Sequence, residues 1–185
     1  MTAIAEGPTL PERYMLRALE IAHGEIGVRE VTRNRGPRID EYLRSVELDP
    51  TRGSYPWCAA FVYWCLLQAA DEFRIICPAP KTAGAIKSFA LAPTAAKILP
   101  ATPDRIRPGC TIAWDHGHGK GHVGFVLGVN FETRMLTTIE GNTDDGGSRE
   151  GDGVYMRERR LDDPRIIGFV DYGKLSGLRQ KRLVE

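Results

Sequence analysis

An α+β fold, with N-terminal helices packed on an antiparallel β-sheet, is what this sequence predicts, and three observations predict it. In the first half, apolar residues recur at helical spacing between residues suited to starting and stopping helices. The stretch Trp57–Ala70 (WCAAFVYWCLLQAA) is apolar almost throughout. From Cys110 onward, short apolar runs are separated by Gly, Asp and Asn clusters. Helices that precede the strands, rather than alternating with them, imply an antiparallel sheet.

Thr9-Leu-Pro-Glu12 has the form of a capping box and opens a helix over residues 11–23, with Met15, Leu16, Leu19 and Ala22 on one face. Gly24 and Gly27 end it. A second short helix over 38–46 places Ile39, Tyr42, Leu43 and Val46 together. Asp49-Pro-Thr-Arg-Gly-Ser54 is a turn. Trp57–Ala70 carries only Gln68 as a plainly polar residue, and a helix apolar on all sides belongs in the middle of a fold. Residues 81–91 suit another short helix after Pro78 and Pro80. Cys110–Trp114, His122–Val129, Met135–Glu140, Val154–Glu158 and Ile166–Tyr172 read as strands.

A chain of 185 residues suits one domain. The expected division is a tail over 1–10, a single catalytic domain over 11–173 and a basic tail over 174–185. The formal net charge of +1 lacks the basic excess of a nucleic-acid binder, so none is expected as a partner. No apolar run approaches the roughly 20 residues that span a bilayer. The start, MTAIAEGPTLPERY, lacks the basic and apolar segments of a signal peptide, so cytoplasmic synthesis is expected. Four cysteines invite a disulfide reading. Cys58 and Cys65 on one helix, however, lie about 10 Å apart along its axis, and a disulfide needs Cα atoms within about 7 Å. Reduced thiols are expected.

Cys58 falls in the first turn of the buried helix, because Pro56 disfavours helix before it and suits a helix start. The helix N-terminus then places partial positive charge and free backbone N–H groups beside the sulfur. Those groups favour a thiolate and can bind an oxyanion. An ordinary thiol is about 3% thiolate at pH 7. Complete ionisation therefore adds at most about 30-fold, roughly 2 kcal/mol. Most acceleration must come from positioning, oxyanion binding and protonation of the leaving amine, which requires a second residue. The alternative for Cys58 is simple packing, since free cysteine is among the most buried residues.

His122 is the candidate partner. In Gly121-His-Val-Gly-Phe-Val-Leu-Gly128 the odd positions from 123 suit a core face. The even positions hold His122, Gly124, Val126 and Gly128, which leaves the imidazole small neighbours and room for an approaching group. If the following hairpin turns over an odd number of residues near Asn130–Arg134, His122 lies opposite Asn142 and Gly124 opposite Glu140, all on one face. Either polar side chain would then hold the second imidazole nitrogen. An even loop would put His122 and Glu140 on opposite faces. The alternative for His122 is a satisfied structural histidine, and for Glu140 and Asn142 ordinary turn residues.

Tyr55-Pro-Trp-Cys58-Ala-Ala-Phe-Val62, Gly121-His122-Val-Gly124 and Ile139-Glu140-Gly-Asn142 together resemble the CHAP amidases, within the NlpC/P60 and papain-like group. Weaker agreement runs from about residue 12 to 172. The resemblance implies a papain-like fold and a Cys-His-polar site that cleaves amide bonds, commonly in peptidoglycan cross-bridges or stems. It makes Cys58 the nucleophile, His122 the base and Glu140 or Asn142 the orienting group. The Cys58 backbone N–H and Tyr55 are the oxyanion candidates. A monomer is expected, acting at the bacterial cell wall or periplasm; the missing signal peptide then calls for non-classical delivery, as a phage-type lysin or a secreted antibacterial effector. An effector would have an inhibitor protein as partner. The sequence departs from the pattern where relatives bind calcium through closely spaced aspartates, since Asp49 stands there without a second. Cys110 occupies a position that is often acidic in relatives. No metal or other cofactor is expected.

Three rival readings stand beside this one. Cys110, Asp115, His116, His118 and His122 include zinc-ligand types, although their spacing enforces no tetrahedron. A non-catalytic module of the same fold would bind peptide or glycan. A cytoplasmic amidase would keep the chemistry and act on a small peptide conjugate.

Overall fold

The computed structural model describes residues 7–100, 102–143 and 151–181. Residues 1–6 and 182–185, parts of the two expected tails, lie outside the described residues.

Helix α1 (Leu10–Gly24) begins at the capping box: the Thr9 backbone N–H donates to Glu12 Oε2 at 2.9 Å. Pro11 stands in the first turn, where its missing N–H costs nothing. After Gly24 the backbone turns through Gly27, at φ +94°. Helix α2 (Pro37–Ser45) buries Ile39, Tyr42 and Leu43 as the periodicity predicts. Helix α3 (Cys58–Glu72) is the expected central helix. Phe61 on it is fully buried and meets Phe125 edge-on at 6.4 Å. Such a buried ring contributes about 1.5–3 kcal/mol by leaving water, with about 1 kcal/mol more from the aromatic pair. The predicted helix over 81–91 shrinks to α4 (Ala85–Ala90). The Thr82 hydroxyl accepts the Gly84 N–H at 3.1 Å, a local turn that delays the helix start.

Six strands follow: β1 (Lys97–Ile98), β2 (Thr111–Asp115), β3 (Gly121–Asn130), β4 (Met135–Thr143), β5 (Gly153–Arg160) and β6 (Ile166–Val170). They form one antiparallel sheet in the order β1-β6-β2-β3-β4-β5. The α+β architecture read from the sequence is therefore present. Strand β1 had no sequence signal, because two residues show no periodicity. It exists by pairing with β6. Strand β6 stops at Val170, before the expected Tyr172, because Asp171 accepts the Gly173 N–H and starts a 3-10 turn at Tyr172–Lys174.

The β3–β4 hairpin corrects one premise of the register argument. Asn130 pairs with Met135, so the loop is Phe131–Arg134, an even four residues. Nearer the site, however, Gly128 pairs with Thr137 and Val126 with Thr138, so Leu127 bulges out of the ladder. The extra residue restores the register assumed for an odd loop, and Phe125 pairs with Ile139. His122 and Glu140 thus share a face despite the even loop.

Both sheet faces are packed. Val123, Phe125 and Ile139 join the helices in one apolar cluster. Ile112, Trp114, Val126 and Leu136 form a second on the other face. The open surroundings expected for His122 are absent: it is 2% exposed. No helix among the described residues is long and apolar enough to cross a membrane.

Candidate active site

Cys58 is the first residue of α3, as the Pro56 argument predicts. No side chain caps this helix, and its first intrahelical bond runs from the Phe61 N–H to the Trp57 carbonyl at 2.9 Å. The N–H groups of Cys58, Ala59 and Ala60 precede that bond, so the ordinary ladder leaves them available. Trp57 fixes the helix start. Its indole donates to Glu30 Oε1 at 2.8 Å and lies 5.6 Å from the Tyr42 ring. A Cβ at Gly141 would come within 2.7 Å of Trp57 and 2.9 Å of Phe61. Only glycine there lets α3 begin this close to β4.

On the sheet, His122 Nε2 meets Glu140 Oε2 at 2.8 Å. The carboxylate is fully engaged. Oε1 accepts from Thr138 Oγ1 at 2.6 Å and Arg159 Nε at 2.8 Å, while Oε2 also accepts from Arg159 Nη2 at 2.5 Å. Gly124 makes the arrangement possible, since a Cβ there would sit 2.7 Å from Glu140 Cγ. With Nε2 taken by Glu140, Nδ1 is the imidazole nitrogen left for Cys58; it is buried and has no hydrogen-bond partner among the described residues.

Burial pulls the His122 pKa down, but interactions with the Cys58 thiol and the Glu140 carboxylate outweigh it and raise the pKa to about 9. Burial would raise the Glu140 pKa, yet hydrogen bonds from Arg159 and then His122 hold it well below the usual carboxylate range. At neutral pH the site therefore favours an imidazolium against a carboxylate. Burial raises the other three thiols: Cys65 strongly, Cys77 less, and Cys110 to about 12. All four cysteines are free.

Asn142 is buried at the end of β4, with its backbone at φ 58° where β4 bulges against β5. Asn tolerates this left-handed conformation better than most residues. It lines a cleft of about 360 Å³ together with Glu30, Arg33, Asn34, Ser54, Pro56 and Gly151. Cys58, 4% exposed, and His122, 2% exposed, are not among the residues that line it. The Tyr55 hydroxyl packs near the backbone of the preceding turn. It lies against Gly53, where a Cβ would meet it at 2.8 Å. The zinc-type residues do not converge: among the described residues, no three His, Cys, Asp or Glu side chains are placed to hold a metal.

Sequence reasoning missed Arg159, Thr138, Trp114 and Glu30. Arg159 lay one residue beyond the expected strand end, although Arg157 and Arg159 alternate as residues of one strand face do. Trp114 pairs with His122 across β2 and β3, and their rings lie 5.7 Å apart. That pairing joins strands whose register no local signal gives.

Two solved structures are distantly similar to the chain. The crystal structure of Ly7917 is 14% identical, with a TM-score of 0.49, covering 85% of this chain and 61% of that one. The crystal structure of Ly7917 with the hydrolyzing product of MDP is likewise 14% identical, with a TM-score of 0.48 and 62% of that chain covered. The chain thus spans about three fifths of their length. No curated protein matches it. The CHAP domain matches residues 50–142, half of the chain, and that segment contains Cys58, His122, Glu140 and Asn142. The chain belongs to the CHAP domain family, whose members are generally hydrolases of the cysteine-peptidase type.

Proposed function

We propose that this protein hydrolyses an amide bond of peptidoglycan, either the N-acetylmuramoyl-L-alanine amide or a peptide bond of the stem or cross-bridge. The observation that carries the reading is the line from Cys58, at an uncapped helix start, through His122 to the clamped Glu140.

Cys58 Sγ, its proton passed to His122, attacks the scissile carbonyl. The carbonyl electrons move to oxygen, and the Cys58 N–H, aided by the helix dipole, stabilises that oxyanion. The intermediate collapses with cleavage of the C–N bond as His122 gives its proton to the departing amine, leaving a thioester. His122 then deprotonates a water that attacks the thioester, and the acid and free thiol are released. Glu140 keeps Nδ1 turned toward the sulfur and stabilises the imidazolium. Asn142 offers its amide to a substrate chain in the adjoining cleft. The raised His122 pKa supports the reading, since a weakly acidic imidazolium keeps its proton until an amine is ready for it.

The test is digestion of purified peptidoglycan by the wild type and by Cys58→Ala, with muropeptides identified by mass spectrometry. The wild type should produce new amine and carboxyl ends at one bond type, and Cys58→Ala should produce none. Equal product from both proteins would remove Cys58 from the mechanism. Cleavage confined to small peptide conjugates would keep the chemistry and replace the substrate.

A further inference from the structure

Arg159 spends two of its nitrogens, Nε and Nη2, on the two oxygens of Glu140. Its Nη2 shares Oε2 with His122 Nε2, so one carboxylate oxygen serves two cations whenever the imidazole is protonated. The guanidinium also lies 5.7 Å from the Trp114 ring centre, and that ring lies 5.7 Å from the His122 ring. Trp114, His122, Glu140 and Arg159 therefore close a circuit on one sheet face. Among the described residues, the charged and titratable groups around His122 are Cys58 from α3, Glu140 from β4 and, through Glu140, Arg159 from β5. Asp163 and Arg165, beyond β5, act on Arg159 with opposite signs.

We propose that Arg159 is a positioning residue for the reaction: its fork fixes Glu140 on the imidazole, and its charge limits how firmly His122 holds a proton. This rests on the Cys58–His122 reading above, and it adds what that reading lacks. A buried Glu140 serving His122 alone would place its whole negative charge on the imidazolium, making it too weak an acid to release its proton to a leaving amine. A second cation on the same oxygen withdraws part of that charge. The fork geometry also explains why arginine suits the position: a lysine ammonium is a point donor and cannot bridge both oxygens in one plane.

The experiment is an NMR titration of the His122 ring in the Cys58→Ala background, with the resonance assigned by its loss in His122→Gln. Arg159→Gln should move the His122 midpoint upward by about one pH unit. Arg159→Lys should move it by less. In the thiol-containing protein, Arg159→Gln should lower kcat about tenfold, while KM changes little. A folded Arg159→Gln whose midpoint stays put or falls would overturn the proposal, and if that variant does not fold, an unmoved midpoint in Arg159→Lys would do so. Because the titration needs no turnover, its result is separate from that of the peptidoglycan digestion.

Discussion

Gly124→Ala tests the site by adding a single methyl group. The new Cβ would lie 2.7 Å from Glu140 Cγ and 2.8 Å from the Ile139 carbonyl oxygen. Carbon atoms sit comfortably at about 3.5–4.0 Å, so about 0.8 Å or more must be relieved. The Ile139 carbonyl belongs to the β3–β4 ladder and resists displacement. Glu140 is the part that can give. A shift of that size carries its carboxylate away from His122, stretching a 2.8 Å contact beyond useful hydrogen-bond length. Misplacing a catalytic group by about 1 Å costs about 100-fold in rate, or about 2.7 kcal/mol. Overpacking costs stability as well, about 1–3 kcal/mol. The assay is kcat/KM for muropeptide release, measured well below the melting temperature, beside a thermal unfolding curve. Gly128→Ala is the control on the same strand, since nothing lies within 4 Å of its Cβ position, and it should stay within about twofold of the wild type. A folded Gly124→Ala with undiminished kcat/KM would refute the claim that Glu140 must be held in place.

Three further outcomes are expected. His122 has a folded pKa of about 9, above its ordinary 6.5, so its contribution to stability is complete below about pH 6.5 and is lost as pH rises through about 9; urea midpoints should fall across that window, and an equal fall in His122→Gln would contradict the assignment. Iodoacetamide at pH 7 should label Cys58 first, since burial raises the other three thiols, and peptide mapping that finds Cys65, Cys77 or Cys110 modified earlier would contradict this. Arg107 donates to the buried Asp171 at 2.8 and 3.2 Å, far along the chain from Cys58; Arg107→Met should cost about 2–3 kcal/mol of unfolding free energy with kcat/KM unchanged, and a matching loss of activity in folded protein would refute that separation.

Most of the fold was legible because its signals are local. The Thr9–Glu12 box, the apolar faces of α1 and α2 and the unbroken apolar run of α3 each act within a few residues. The place of Cys58 at a helix start was legible for the same reason: Pro56 dictates where a helix can start. What the sequence hid depends on partners distant in the chain. Strand β1 is defined by β6, and the clamp on Glu140 by the side chain of Arg159, 19 residues away. The choice between Glu140 and Asn142 for the second imidazole nitrogen needed side-chain geometry, and it fell to Glu140 at 2.8 Å. The face around His122 looked open because Gly124 has no side chain. Trp114 and Arg159 come from neighbouring strands to cover it.

The bulge at Leu127 separates two lengths that would otherwise be tied together. In a plain hairpin, removing one loop residue flips every upstream side chain to the opposite face. Here, excising Leu127 and one of the residues 131–134 together should cancel, keeping the imidazole and its carboxylate partner in step. Either deletion alone breaks that parity. Homologous hairpins two residues shorter, with a three-residue loop and no bulge, can therefore carry the same chemistry.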